Sequence, residues 1–582
     1  MSSNTFKRTL ISAAILSSAS SSAALYKVVE VEPPTTNYSY ESVYGVAIQA
    51  TSDNNTVTLG CFAKTATGCD SFKLAGETRL SETHVGEAID GLSYREEVPF
   101  RMDNSFYYVQ ERNDFERYCN NQLRYSTCDT WANIRWKIWE QELGGGGNEP
   151  NAIAFLEGNG SPVDGTKNVV INSVTADKKP TGIMSKLGEV EDYRRMSVTA
   201  FIDDNDSGKL EPADADADGL PSALHTRAWK TDGTYTVGSL ARDADNDRDG
   251  RYYTSKGTIW NGTKPVELDW GAGVAAKKDQ RLAQGSLRDF VVVADTDTLY
   301  AVGFNTFEND RHYMQATVFT VPTALLDSST KDNSDKKITS VEVKGATVHK
   351  NGGKSGDQIH TNSILTSVNN HLIAIGEAKR SSAHKGAYTN RLFIVDDIKS
   401  PTATFLSGGI FFDGAGGKAG AINNYNEIVG QVDADNTREV NGKPRRKRGF
   451  IYPYQAEGTF DKRSAIFNNQ AWWLDDLTND GKLSNDNNQY RIIDATDIND
   501  AGVIAATALK CAGGYDSTAH NATCGDGKGK ETTVAVKLIP IADATSDDIV
   551  RRGMDERATE RKGAAVGLWA LVLLGLFGFR RK

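Results

Sequence analysis

A hairpin written four times along the C-terminal half of the chain restricts its fold more than any other feature. The windows are Ala294–Gly303 (ADTDTLYAVG), Ser367–Gly376 (SVNNHLIAIG), Ala421–Gly430 (AINNYNEIVG) and Asp497–Ala506 (DINDAGVIAA), with starts 73, 54 and 76 residues apart. Each reads as a strand end, an Asn/Asp turn that tolerates left-handed backbone, and a second strand of apolar residues. A further β-branched or aromatic run follows each window, at Ala316–Val321, Arg391–Val395, Arg448–Tyr452 and Thr533–Lys537. Similar runs stand earlier, at Ala152–Leu156, Thr226–Trp229 and Gly257–Trp260.

Helix-period segments are scarce, and short runs bounded by Asn, Asp and Gly recur throughout, so the expected class is all-β. Repeats at this spacing fit a β-propeller, because a four-stranded blade takes about 40–50 residues and the intervals leave room for long loops. Seven such runs predict six to eight blades. A pair of β-sandwich domains would show similar turn spacing.

Both ends carry targeting signals. Lys7 and Arg8 precede an apolar stretch from Leu10 to Leu16 and a Ser/Ala-rich run ending Ser22-Ala23-Ala24, the pattern of a signal peptide cut by signal peptidase. The expected divisions are a signal peptide over 1–24, a repeat domain over 25–541, a polar stalk over 542–562 and an apolar tail over 563–582. Gly563 to Phe579 is uncharged and closes on Arg580-Arg581-Lys582. A segment of that length reaches the lower limit for a membrane-spanning helix, and its basic end favours the cytoplasmic side. The bulk of the chain is therefore expected outside the cytoplasm, anchored in the inner membrane or displayed on the cell surface after processing of the tail.

Two resemblances rest on these residues. The tail is similar to GlyGly-CTERM-type sorting signals, which implies a rhomboid-type sorting protease as a partner; Lys562-Gly563-Ala564-Ala565 stands where that family begins with Gly-Gly. Ala421-Ile422-Asn423-Asn424 followed by Glu427-Ile428-Val429-Gly430 resembles the extracellular HAF repeat of bacteria. Asp497 to Ile504, with Trp473-Leu474-Asp475-Asp476, is similar to an uncharacterised family of exported marine gammaproteobacterial proteins. These resemblances imply a propeller-like array and bring no catalytic residues.

The six cysteines pair by proximity as Cys61 with Cys69, Cys119 with Cys128 and Cys511 with Cys524. In an exported chain such spacing predicts local disulfides, each worth roughly 2–3 kcal/mol by loop entropy. An aromatic-rich insertion over about 100–150 holds the second pair. Within it Trp131, Ile134 and Ile138 would share one face of an amphipathic helix, broadened by Trp136 and Trp139.

Three Asp-rich loops lie between 203 and 250. In the first, Asp203, Asn205, Ser207, Glu211 and Asp214 take positions 1, 3, 5, 9 and 12 of a calcium loop. Asp216 and Asp218 in the second, and Asp245, Asp247 and Asp249 in the third, supply oxygen ligands at alternate positions before a glycine. Structural Ca2+ is the expected cofactor. Asp476, Thr478 and Asp480 before Gly481 form a weaker fourth loop. The basic run Lys443 to Arg448 reads as a solvated hairpin tip, with a polyanion as the alternative contact.

A formal net charge of −10 argues against general nucleic-acid binding. No H-E-x-x-H helix, G-x-S-x-G elbow or complete phosphate loop occurs in the sequence. Lone histidines such as His312 and His371 read as structural. The expected function is that of an extracytoplasmic binding or structural protein; the alternative is an extracellular hydrolase or lyase acting on polysaccharide.

Overall fold

The computed structural model describes residues 24–52, 58–81, 111–123, 125–142, 150–185, 198–203, 210–214, 220–245, 252–308, 312–327, 337–349, 358–387, 390–439, 444–455, 460–483 and 486–555. The expected signal peptide up to Ala23, the apolar segment over 563–582 and the phosphate-loop-like Gly352 to Ser355 lie outside these residues. No helix among the described residues is long and apolar enough to cross a membrane.

The chain begins with β1 (Tyr26–Glu30) and an antiparallel unit of β2 (Ser42–Ile48), β3 (Leu74–Arg79) and β4 (Ile153–Leu156). Between β3 and β4 stand the helices α1 (Arg112–Tyr118) and α2 (Cys128–Glu142). Three strands follow, β5 (Asn168–Val174), β6 (Pro180–Ser185) and β7 (Val198–Ile202). The next unit is β8 (His225–Thr231), β9 (Tyr235–Ala244), β10 (Tyr252–Asn261) and β11 (Lys264–Leu268), trailed by a short hairpin of β12 (Lys277–Lys278) and β13 (Arg281–Leu282).

The region of the repeats continues with β14 (Ser286–Val293), β15 (Thr298–Thr306), β16 (Met314–Pro322) and β17 (Thr339–Glu342). Then come β18 (Val348–His349), β19 (Gln358–Val368), β20 (Ala374–Arg380), β21 (Arg391–Val395) and β22 (Thr404–Phe405). After these stand β23 (Gly417–Ile422), β24 (Glu427–Asp433), β25 (Lys447–Pro453) and β26 (Trp472–Trp473). The last unit is β27 (Tyr490–Ile498), β28 (Ile504–Cys511) and β29 (Glu531–Pro540).

Five of these units are free-standing blade sheets: β5–β7, β8–β11, β14–β17, β18–β22 and β23–β26. The first and last units are merged in one seven-stranded sheet. There β1 lies antiparallel on β29, from Tyr26 opposite Pro540 to Glu30 opposite Val536, and Ser42 of β2 makes a single parallel bridge to Thr533. The fold is thus an all-β propeller, but the expected six to eight separate blades are not found. A strand from the start of the chain completes the last unit, and the bridge to β2 removes the boundary that would separate it from the first.

One strand was also misplaced by its sequence. Thr226–Trp229 lies in β8, the first strand of its sheet, whereas the other six runs fall in third strands or their equivalent. First strands contact one another in chain order around the ring, and β27 returns to β2, so they form the inner wall. The apolar core fills the gaps between consecutive sheets. One cluster joins Val302 and Val318 to Phe393 and Val395; another joins Ile375 and Ile394 to Ile428 and Phe450. Burying each such side chain stabilises the fold by about 1.5–3 kcal/mol.

The three disulfides join the expected pairs, Cys61–Cys69, Cys119–Cys128 and Cys511–Cys524, with Cα separations of 5.9, 5.4 and 5.7 Å. In the helical insertion Trp131, Ala132 and Ile138 pack on Phe115 and Tyr118 of α1. Ile134 is 47% exposed, so the expected face is wrong there. The disulfide fixes α2 against α1, and the shared face is set by that contact rather than by the spacing of apolar residues alone.

Candidate functional site

Every first strand carries a bulge near the axis. The extra residues are Val46 in β2, Asn172 in β5, Trp229 in β8, Arg288 in β14, Thr366 in β19, Gly420 with Ala421 in β23, and Thr496 in β27. A bulge leaves a residue out of the ladder and re-aims its side chain. All of them except Arg288 are half-buried within largely buried strands, as expected of residues that face an axial channel. The glycine that closes three of the windows answers the same bulge. A Cβ on Gly376 would stand 2.2 Å from the Ile364 carbonyl oxygen, and one on Gly430 2.4 Å from that of Lys418.

Just after the bulge, side chains latch one inner strand to the next. The Asp289 carboxylate accepts the Val368 N–H at 3.1 Å and the Ser367 hydroxyl at 2.8 Å, and also its own neighbour's N–H from Phe290 at 2.9 Å. Ser367 Oγ in turn accepts the Ile422 N–H at 3.3 Å. Asp497 repeats the pattern, accepting N–H groups from Ile48 at 3.0 Å and Ile498 at 2.9 Å.

The window's Asn forms a second belt at the turns. Asn423 Oδ1 accepts the N–H groups of Tyr425 and Glu427, both at 3.0 Å, while its Nδ2 donates to the Asn499 carbonyl at 3.1 Å. Asn369 donates likewise to the Asn423 carbonyl at 3.0 Å, and Asn499 to that of Gln49 at 3.0 Å. The fourth residue of each turn has the left-handed backbone that the Asn/Asp pattern predicts, with φ of 64° at Leu372, 58° at Asn426 and 85° at Gly502.

One cation stands among these groups. Lys230, the residue after the β8 bulge, is half-buried and has no hydrogen bond or ion pair among the described residues. Asp289 foremost, then Asp497 and Asp500, hold its ammonium above the usual lysine range against the opposing effect of burial. These carboxylates belong to β14 and to the strand and turn of the last unit, so charges from separate parts of the ring converge on the axis. Burial pushes the Asp497 carboxyl up, and Lys230 opposes that. Beside Lys230, the Arg288 guanidinium lies 3.8 Å from the centre of the Trp229 ring.

The expected calcium loops are only partly visible. Asn205, Ser207, Asp216, Asp218, Asp247 and Asp249 lie outside the described residues. Asp203 pairs with Lys179 at 3.2 Å, and Glu211 accepts the Thr263 hydroxyl at 3.0 Å. The Asp214 carbonyl faces Arg242 at 3.4 Å, and Asp245 is exposed. No cluster of three or more His, Cys, Asp or Glu able to hold a metal occurs among the described residues. In the fourth loop Asp476 is instead buried, taking the Arg552 N–H at 2.7 Å and His520 Nε2 at 3.1 Å.

The basic run is a clear correction. Arg445 and Lys447 are buried on Asp433, and Arg448 is buried on Asp475 at 2.6 Å. Three of its cations are consumed by carboxylates inside the fold, which a local count of charges cannot reveal. Burial, with Lys278 and Arg281, lowers His312 to about 4, and His371 Nε2 lies 3.1 Å from the Asn424 carbonyl.

Fold and inner wall together define a β-propeller whose inner strands are bulged and bear charged side chains. Residues 293–582 match the family described as "Protein of unknown function (DUF3466)", a span that includes all four hairpin windows. No curated protein matches the chain. Among solved structures, it is similar to an α-L-arabinofuranosidase from Fusarium graminearum, at 9% identity and a TM-score of 0.30, covering 90% of this chain and 99% of that one. It is also similar to an α-L-arabinanase of Cellvibrio cellulosa, at 11% identity and a TM-score of 0.24, covering 51% and 90%. Likeness at this level says nothing of what this chain binds or acts on.

Proposed function

We propose that the chain is a non-enzymatic binding protein, held outside the cytoplasm by its C-terminal tail, whose ligand enters the axial channel. One observation carries this reading: the carboxylates around Lys230 are occupied as latches. Asp289 holds three donors, Asp497 two, and Asp500 takes the Asn424 N–H at 2.8 Å and its side-chain amide at 2.9 Å. A glycosidase pair needs one carboxyl free to give a proton and another free to attack or activate water. These groups are spent on joining strands. What the channel offers is an aromatic ring, a cation and amide groups, the equipment of recognition. The Asp-rich loops are read as calcium sites that stabilise the periphery.

Affinity electrophoresis through gels containing arabinan, xylan or polygalacturonate, with a parallel assay of reducing ends, tests the reading. Retardation by at least one polymer without release of reducing sugar is expected. Reducing-end release that disappears in Asp497→Asn would replace it with the polysaccharide-active alternative.

A further inference from the structure

Donors and acceptors around the channel do not balance. The acceptor side is engaged, since the oxygens of Asp289, Asp497 and Asp500 already receive backbone and side-chain donors. The donor side is not, and the surplus lies on one strand, β8. The Trp229 indole N–H has no hydrogen-bond partner among the described residues, and neither has the Lys230 ammonium. Two residues ahead of Trp229, Arg227 is 0% exposed, with Nε, Nη1 and Nη2 all lacking an acceptor. Leaving a buried donor unpaired costs the full desolvation of that group, and more when it is charged. Two such residues, Arg227 and Trp229, stand within three positions, next in sequence to the half-buried Lys230.

Resting on the reading of the channel as a binding site, we infer that β8 presents Lys230 and Trp229 to an oxyanion, a carboxylate or sulfate carried on a saccharide. Lys230 meets the anion because it alone of the three has an ammonium with no protein partner at a half-buried position. Trp229 adds ring area, with Arg288 already stacked at 3.8 Å to fix its orientation. Arg227, three positions before Lys230 on the same strand, is a further buried cation. The carboxylates that face Lys230 already hold backbone and side-chain donors of their own. They keep the ammonium protonated across the physiological range.

Calorimetric titration of the full chain with trigalacturonate, with its fully methyl-esterified form, and with sodium sulfate tests the inference. The acid is expected to bind about tenfold or more tightly than the ester, since only the acid offers a charge-assisted bond. Lys230→Met should remove that preference, whereas Lys230→Arg should keep most of it and shows that the fold tolerates change there. Competition by sulfate would mean that a free oxyanion suffices; binding of the acid without such competition would mean that the saccharide is also read. Equal affinity for acid and ester, or an unchanged preference in Lys230→Met, overturns the inference. If the ester binds and Trp229→Ala abolishes that binding, the channel still stands as a binding site. Absence of binding by both acid and sulfate also ends the inference, while gel retardation judges the broader reading separately.

Discussion

Replacing Asn423 by alanine should be among the most damaging single changes to this fold. Its side chain is 4% exposed and makes bonds on both sides: Oδ1 caps the turn at Tyr425 and Glu427, and Nδ2 reaches the Asn499 carbonyl and, at 2.6 Å, Glu427 Oε2. Alanine leaves two N–H groups without partners in a dry turn and removes one donor each from Glu427 and from the Asn499 carbonyl, which keeps the Gly502 N–H at 2.9 Å. At roughly 1–3 kcal/mol for each buried group left unsatisfied, and allowing for partial relaxation, the loss is about 3–5 kcal/mol. The neighbouring Asn424 is the internal control. It also bonds across units, to Asp500 and from the Asn370 N–H, but at a half-buried site where water can replace it. Asn424→Ala should therefore cost about 1 kcal/mol. Urea unfolding followed by tryptophan fluorescence measures both. Equal losses for the two variants would refute the view that the window's first Asn makes buried bonds that nothing replaces while the second makes bonds that water can replace.

Two further outcomes are expected. Burial pushes His520 down, but the neighbouring carboxylates of Asp475 and Asp476 outweigh this, so its folded pKa is raised. The stabilisation is then full below about 6.5, the unfolded value, and is lost as pH rises through the folded value. The melting temperature should fall between pH 6 and pH 8.5, and less so in His520→Gln; parallel curves would remove His520 as the cause. If the first Asp-rich loop holds calcium, the ion at about 100 times its Kd adds about 2.7 kcal/mol. Chelation should lower the melting temperature in the unmutated protein but not in Asp203→Ala with Asp214→Ala, and identical curves with calcium and chelator would make this a solvated loop.

The repeats were legible because their chemistry is local. Asn369, Asn423 and Asn499 cap turns two to four residues away, so the pattern N-x-x-x survives in three of the four windows. The closing glycine was visible too, but its cause was not. It answers a bulge on the strand before it, and with that rule Gly182 and Gly238 become readable, each with a Cβ that would strike the carbonyl of Val170 or Arg227 within about 2 Å. They mark units that carry no Asn window. Lys230 and the latching carboxylates could not be found from sequence, since what brings them together is closure of the ring. The same holds for Arg445, Lys447 and Arg448, whose partners lie on other strands and turned a seemingly solvated run into buried pairs.

The pairing of β1 with β29 has a kinetic meaning. Tyr26 lies opposite Pro540, so the ladder that finishes the last unit joins segments from nearly opposite ends of the chain. Loop-closure entropy grows only with the logarithm of length, so the equilibrium cost of such a distant pairing is modest. The cost in time is larger, because contacts of this sequence separation form slowly. Until β29 is synthesised, β1 has no ladder to join, and a partly made chain presents open strand edges to its neighbours. Folding of this propeller is therefore gated at its final step, and the window between translation and closure is where chaperones, or aggregation, compete for the chain.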